Sequence, residues 1–134
     1  MRGILAAFVM TEETPVAMTD PIYKILPATE WAEATTAGSF RGSAVDLEDG
    51  YIHFSTASQV RETAAKHFAG KTGLLLLTVD PDRCPSASMK WEASRGGQLF
   101  PHLYEAMPVA AVTRVDELPL EGDGHRFPPD LPAA

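Results

Sequence analysis

The chain has 134 residues, 45% hydrophobic and 22% charged, with a formal net charge of -7. That length and balance fit one soluble domain able to bury a core without metal or disulfide support. The acidic charge, with no stripe of Lys or Arg, argues against a nucleic-acid partner. The single cysteine, Cys84, excludes an internal disulfide and a zinc site of several thiolates, and suits a reducing, cytoplasmic setting. No apolar run is long enough to span a bilayer, so no membrane partner is expected.

Arg2 followed by Gly3 to Met10 imitates a secretory signal, but Glu12 and Glu13 follow almost directly and no small-residue cleavage site is present. Residues 1–20 are therefore expected to be an N-terminal extension, disordered or an over-called start. Tyr23 to Leu26 reads as a strand stopped by Pro27. Thr29 is placed to cap a helix through Ala34, with Glu30 and Glu33 in its first turn, Trp31 as a core anchor and Gly38 as its stop. Ser39 to Glu48 has no clean period and reads as a loop, with Asp46, Glu48 and Asp49 in a solvated acidic turn that lacks the spacing of a calcium loop.

Asp49-Gly50 is a turn signal that launches Tyr51-Ile52-His53-Phe54-Ser55-Thr56 as a strand. Alternation sends Ile52 and Phe54 to the core and places Tyr51, His53 and Ser55 on the other face, which serves equally as a solvated face or a ligand site. Thr56 or Ser58 is placed to cap a helix from Gln59 to Phe68, with Val60, Ala64, His67 and Phe68 on one face and His67 packed and hydrogen bonded at its edge. Gly70 ends that helix.

Leu74 to Val79 is an apolar run bounded by Gly73 and Asp80, and reads as the central strand, buried on both faces. A Pro-containing loop follows to Ser88, then a short strand over Met89 to Glu92. Gly96 and Gly97 allow a sharp turn or close approach of an anion, with Arg95 adding charge, although a plain hairpin loop accounts for them as well. Val109 to Leu118 alternates as a half-buried closing strand, and residues 119–134 read as a loose tail containing His125. The fold expected is α+β, a small mixed or antiparallel split sheet with two main helices, in a single domain over residues 21–118.

Two stretches combine polar groups with reactive potential: Tyr51, His53, Ser55 and Thr56, and then Glu92, Ser94, Arg95, His102 and Tyr104. No metal is expected, because His-Glu-x-x-His and Cys-x-x-Cys are both missing and the four histidines are scattered. Phosphate-loop, dinucleotide-fingerprint and hydrolase-elbow patterns are also missing, and Cys84 has no activating neighbour in sequence.

Four strings, Asp49 to Thr56, Lys66 to Gly70, Trp91 to Gly97 and Phe100 to Tyr104, together resemble a bacterial family known as domain of unknown function 952. The likeness spans Pro21 to Leu118. It implies the fold of ADP-ribosyltransferases, a split mixed sheet holding NAD in a cleft, and Tyr51 to Ser55 resembles the His-x-Ser strand of tRNA 2'-phosphotransferases. The resemblance implies that His53 contacts the nicotinamide ribose, that Ser55 or Thr56 supports the nicotinamide side, and that Glu92 or Arg95 faces the cleft. The chain departs from those relatives in lacking a basic RNA-binding surface. The expected ligand is a small molecule, with NAD as substrate of a transferase, phosphotransferase-like enzyme or glycohydrolase in which His53 and Glu92 are catalytic. The alternative is a non-catalytic module for a small metabolite or a partner protein.

Overall fold

The computed structural model of the chain describes residues 20–132; the expected extension over residues 1–20 lies outside them except for its last residue. Among the described residues three α-helices and ten strands are arranged around two antiparallel three-stranded sheets. The first sheet has β4 (Leu74–Val79) between β1 (Ile22–Pro27) and β8 (Val112–Glu117). The second has β6 (Leu99–Leu103) between β3 (Ile52–His53) and β5 (Met89–Ala93). Every pairing is antiparallel, so the fold is α+β with antiparallel sheets.

Strand parity in β1 and β4 divides the core in two. Ile22, Leu26, Leu77 and Val79 enter one cluster with Phe40, Ile52, Phe54 and Leu103, against which Trp31 of α1 (Ala28–Ala37) packs. Tyr23, Ile25, Leu74 and Leu76 enter the other with Val60 and Ala64 of α3 (Val60–His67). Both faces of β4 are thus covered, which accounts for its continuous apolar sequence. Lys24 is the exception. It lies in β1 on the side of Ile22 and Leu26, buried, and so requires a partner.

The two sheets meet at one bridge, Tyr23 with Ser55, closed by Tyr23 N–H to Ser55 O at 2.7 Å and Ser55 N–H to Tyr23 O at 2.9 Å. A small ladder of β2 (Ser39–Phe40) with β7 (Met107–Pro108) closes the side beside α1.

Several expectations need correction. α1 starts at Ala28 behind Pro27, so Thr29 lies inside its first turn and is not the cap. The expected loop over Ser39 to Glu48 contains β2 and a six-residue helix, α2 (Ala44–Asp49), ended by Gly50 in the left-handed region at φ 91°. His67 is exposed, because the inward stripe of α3 is Val60 and Ala64. The closing strand begins at Val112 after a 3-10 turn over Val109–Ala111, and as an edge strand it leaves Val115 exposed. Residues 120–125, expected in a loose tail, form a hairpin of β9 (Leu120–Glu121) and β10 (Gly124–His125). Beyond it Leu131 is buried and Phe127 packs against the α3 cluster.

Candidate functional site

The second sheet turns Ile52, Leu103 and Trp91 toward the core, which leaves the opposite parity of its strands for polar groups. On that face His53 of β3 pairs with His102 of β6, and Tyr51 and Tyr104 extend the same rows. The four rings form one cluster. Tyr51 stacks on His102 with centroids 4.2 Å apart and an interplanar angle of 28°, and lies 4.6 Å from His53 and 5.1 Å from Tyr104. His53 and His102 meet edge to face at 5.4 Å. Such ring pairs stabilise beyond their buried area, with His102 buried and Tyr104 exposed at the edge of the cluster.

Each histidine is tied to a carboxylate. His102 Nδ1 lies 2.8 Å from Glu92 Oε1, a diagonal contact across the β5–β6 ladder, and the Tyr104 hydroxyl donates to the same oxygen at 2.8 Å. The bonds from His102 and then Tyr104 hold the Glu92 carboxyl below its usual range, leaving it ionised at neutral pH. The same carboxylate raises the Tyr104 phenol above its usual value.

His53 is held from beneath by Asp46, which stands in α2 and is buried. One carboxylate oxygen of Asp46 accepts from the His53 backbone N–H at 3.2 Å and faces His53 Nδ1 at 2.6 Å. The other accepts from the Ser43 N–H at 2.8 Å and from Lys24 Nζ at 2.8 Å. Lys24 also donates to the His53 carbonyl at 3.0 Å. Burial alone would raise the Asp46 carboxyl, but the His53 bond, the Lys24 charge and the Ser43 amide bring it down to about 2. Asp49 faces His53 Nε2 at 2.9 Å, so both ring nitrogens have carboxylate partners, and both bonds are donated at once only by the imidazolium.

Gly42 makes room for this arrangement. It has φ 126°, and a Cβ there would fall 2.7 Å from the Asp46 Cβ.

Tyr51, His53, Glu92, His102 and Tyr104 therefore come together, drawn from two stretches some forty residues apart in sequence. Ser55 and Thr56 do not join them. β3 ends at His53, the alternation breaks, and Ser55 turns its hydroxyl to Thr63 of α3 at 2.8 Å, while Thr56 bonds Ser58 and Gln59 at the entry to that helix. Ser94 is exposed at the tip of the β5–β6 hairpin, where its N–H donates to Gln98 O at 2.9 Å across Gly96 and Gly97, both at positive φ. The side chain of Arg95 lies outside the described part of the structure.

Sequence patterning places Asp46 in a solvated turn, whereas the structure buries it against Lys24. Two signals pointed to them: Ser43-x-x-Asp46 has the spacing of a helix capping box, and a lone Lys within Ile22 to Leu26 demands a buried anion.

Among the described residues no three His, Cys, Asp or Glu side chains are grouped as metal ligands, and no helix is long and apolar enough to cross a membrane. Cys84 is buried, and burial first, then Asp80, raises its thiol to about 11, so it is a poor nucleophile. A shallow cavity of about 250 Å3 adjoins the ring cluster and shares Tyr51 and Tyr104 with it. A larger one of about 420 Å3 lies between α3 and the C-terminal hairpin. There Arg61 is occupied by the Leu131 and Pro132 carbonyls and His125 by Lys71 O, so the larger space has less free chemistry.

The crystal structure of protein CC0527 from Caulobacter crescentus is similar to this chain at 51% sequence identity and a TM-score of 0.74, covering 78% of this chain and 91% of that one. Its solution structure aligns with a TM-score of 0.69 at the same identity, covering 78% of this chain and 90% of that one. No curated protein matches. Residues 25–115 match the model of the family described as "Protein of unknown function (DUF952)", and the chain belongs to that family.

Proposed function

We propose that the ring cluster binds NAD or a related nucleotide in an ADP-ribosyltransferase-like cleft and holds it for transfer or hydrolysis at the ribose C1 carbon. The observation that carries this reading is the convergence of Tyr51, His53, His102, Tyr104 and ionised Glu92 on one face of a sheet split from the first at the Tyr23–Ser55 bridge. Tyr51 and Tyr104 give a planar heterocycle a stacking surface. When the bond from C1 to the nicotinamide nitrogen breaks, its electron pair leaves with the ring. The positive charge then left on the sugar is what a fixed carboxylate such as Glu92 stabilises. Water or an acceptor hydroxyl adds to C1 and releases its proton. Calorimetry with millimolar NAD tests the reading: heat of binding is expected for the wild type and a weaker signal for His53→Ala, and no heat for either overturns it.

The second reading, a binding module without turnover, is favoured by the engagement of both His53 nitrogens and of Glu92 Oε1 within the protein. On that reading Glu92→Ala leaves affinity almost unchanged and no free nicotinamide accumulates.

A further inference from the structure

Each Lys and Arg whose side chain is described faces a carboxylate, a backbone carbonyl or an aromatic ring, with one exception. The exception is Arg41. It follows β2, is exposed, and lines the cavity of about 250 Å3 together with Leu47, Gly50, Tyr51, Tyr104 and Glu105. In a chain with a net charge of -7 an arginine left without a carboxylate is unexpected, since acidic side chains outnumber basic ones. Of the two carboxylates that line the cavity, Asp46 is paired with Lys24 and His53, and Glu105 accepts from the Ser88 hydroxyl.

Arg41 therefore shares a cavity with Tyr51 and Tyr104, which also belong to the ring cluster. A cavity of this volume is below the usual range of roughly 300–1,000 Å3 for a complete small-molecule site, and so suits one end of a ligand. The guanidinium presents a planar fork of donors that matches two oxygens of a phosphate.

The geometry points to Arg41 as the phosphate-binding residue of a bipartite nucleotide site, with the ligand's ring on the Tyr51–Tyr104 surface and its phosphate at Arg41. This assignment rests on the nucleotide reading of the ring cluster and adds to it a requirement for a phosphate and a direction for the bound ligand. A nucleoside, which lacks the phosphate, uses only half of the site.

Arg41→Gln keeps a polar side chain at an exposed position and removes the charge. Pyrophosphate titrated into isotope-labelled wild type is expected to shift the NMR signals of Arg41, Tyr51 and Tyr104, and in R41Q to leave those of Tyr51 and Tyr104 unmoved. By calorimetry nicotinamide mononucleotide is expected to bind the wild type about tenfold more tightly than nicotinamide riboside, an advantage that R41Q removes without changing riboside affinity. An advantage that survives R41Q, or pyrophosphate shifts that survive it or fail to occur in the wild type, overturns the assignment of Arg41; riboside binding then still supports the ring cluster. Pyrophosphate shifts that depend on Arg41, with neither riboside nor mononucleotide binding, support the anion site and overturn the nucleotide reading of the ring cluster.

Discussion

In the sheet of β1, β4 and β8 the strands β1 and β4 are covered on both faces, by α1 and the second sheet on one side and by α3 on the other. In the sheet of β3, β6 and β5 only one face meets the core, and the other carries two histidines, two tyrosines and a glutamate. The sheets match in strand number and direction, so the difference comes from what covers them. Covering both faces leaves side chains only packing to do, whereas the second sheet holds ionisable groups that range from the buried His102 to the partly exposed His53 and Glu92. Lys24 and Asp46 lie where the two regimes meet, the lysine in the first sheet and the carboxylate beneath His53 of the second.

The junction should be the most sensitive point. Asp46→Ala leaves the buried Lys24 ammonium without its counter-ion and is expected to cost about 3–5 kcal/mol in chemical denaturation. The wild type should also show an acid limb. The folded-state pKa of Asp46, about 2, lies below the ordinary 3.8, so the stability it contributes is complete above about pH 4 and is lost as pH falls toward 2. That difference is worth about 2 kcal/mol, and the variant should lack it. A pH profile for Asp46→Ala that keeps the full acid limb would show that Asp46 is not its source.

The first sheet should respond through packing alone. Leu77 of β4 is fully buried, and Leu77→Ala is expected to cost about 3 kcal/mol through lost transfer energy and the cavity left behind. The ring cluster should be untouched, so any ligand affinity measured on the folded fraction should equal that of the wild type. A changed affinity would mean that the core Leu77 shares with Ile52 and Leu103 passes the loss on to the ring cluster.

What the sequence made legible divides along the same line. β4 and most of β1, α1, α3 and β5 follow from apolar period, helix stops and flanking breakers, because their side chains are fixed by the core nearest to them. The ring cluster was legible in part: Tyr51 and His53 share a face by alternation, and so do His102 and Tyr104, but only the β3–β6 register of Ile52 with Leu103 and His53 with His102 brings the pairs together. Local pattern has no access to that register. Asp46 escaped because α2 has only six residues, too few to display a period, and because its burial depends on Lys24, 22 positions away. Ser55 leaves the face that alternation predicts because β3 ends at His53, two residues before it.

The smallest effect expected is the most specific to the open face. The Tyr104 phenol is raised first by the hydrogen bond it donates to Glu92, then by burial and by the nearby charge, since a phenolate beside that carboxylate would lose the bond and meet a like charge. Glu92→Gln keeps an acceptor for the hydroxyl and removes the charge. Ultraviolet titration should then find the Tyr104 transition moved down toward the ordinary phenol value, while the buried Tyr23, raised first by burial and set in the first sheet, titrates as before. If Tyr104 does not move, Glu92 is not the charge its hydroxyl faces in solution, and the carboxylate offered above as the partner of a developing sugar cation is not held in place. If Tyr104 moves and Tyr23 does not, the carboxylate acts locally on the open face, with His102 and Tyr104 as the two groups that hold it.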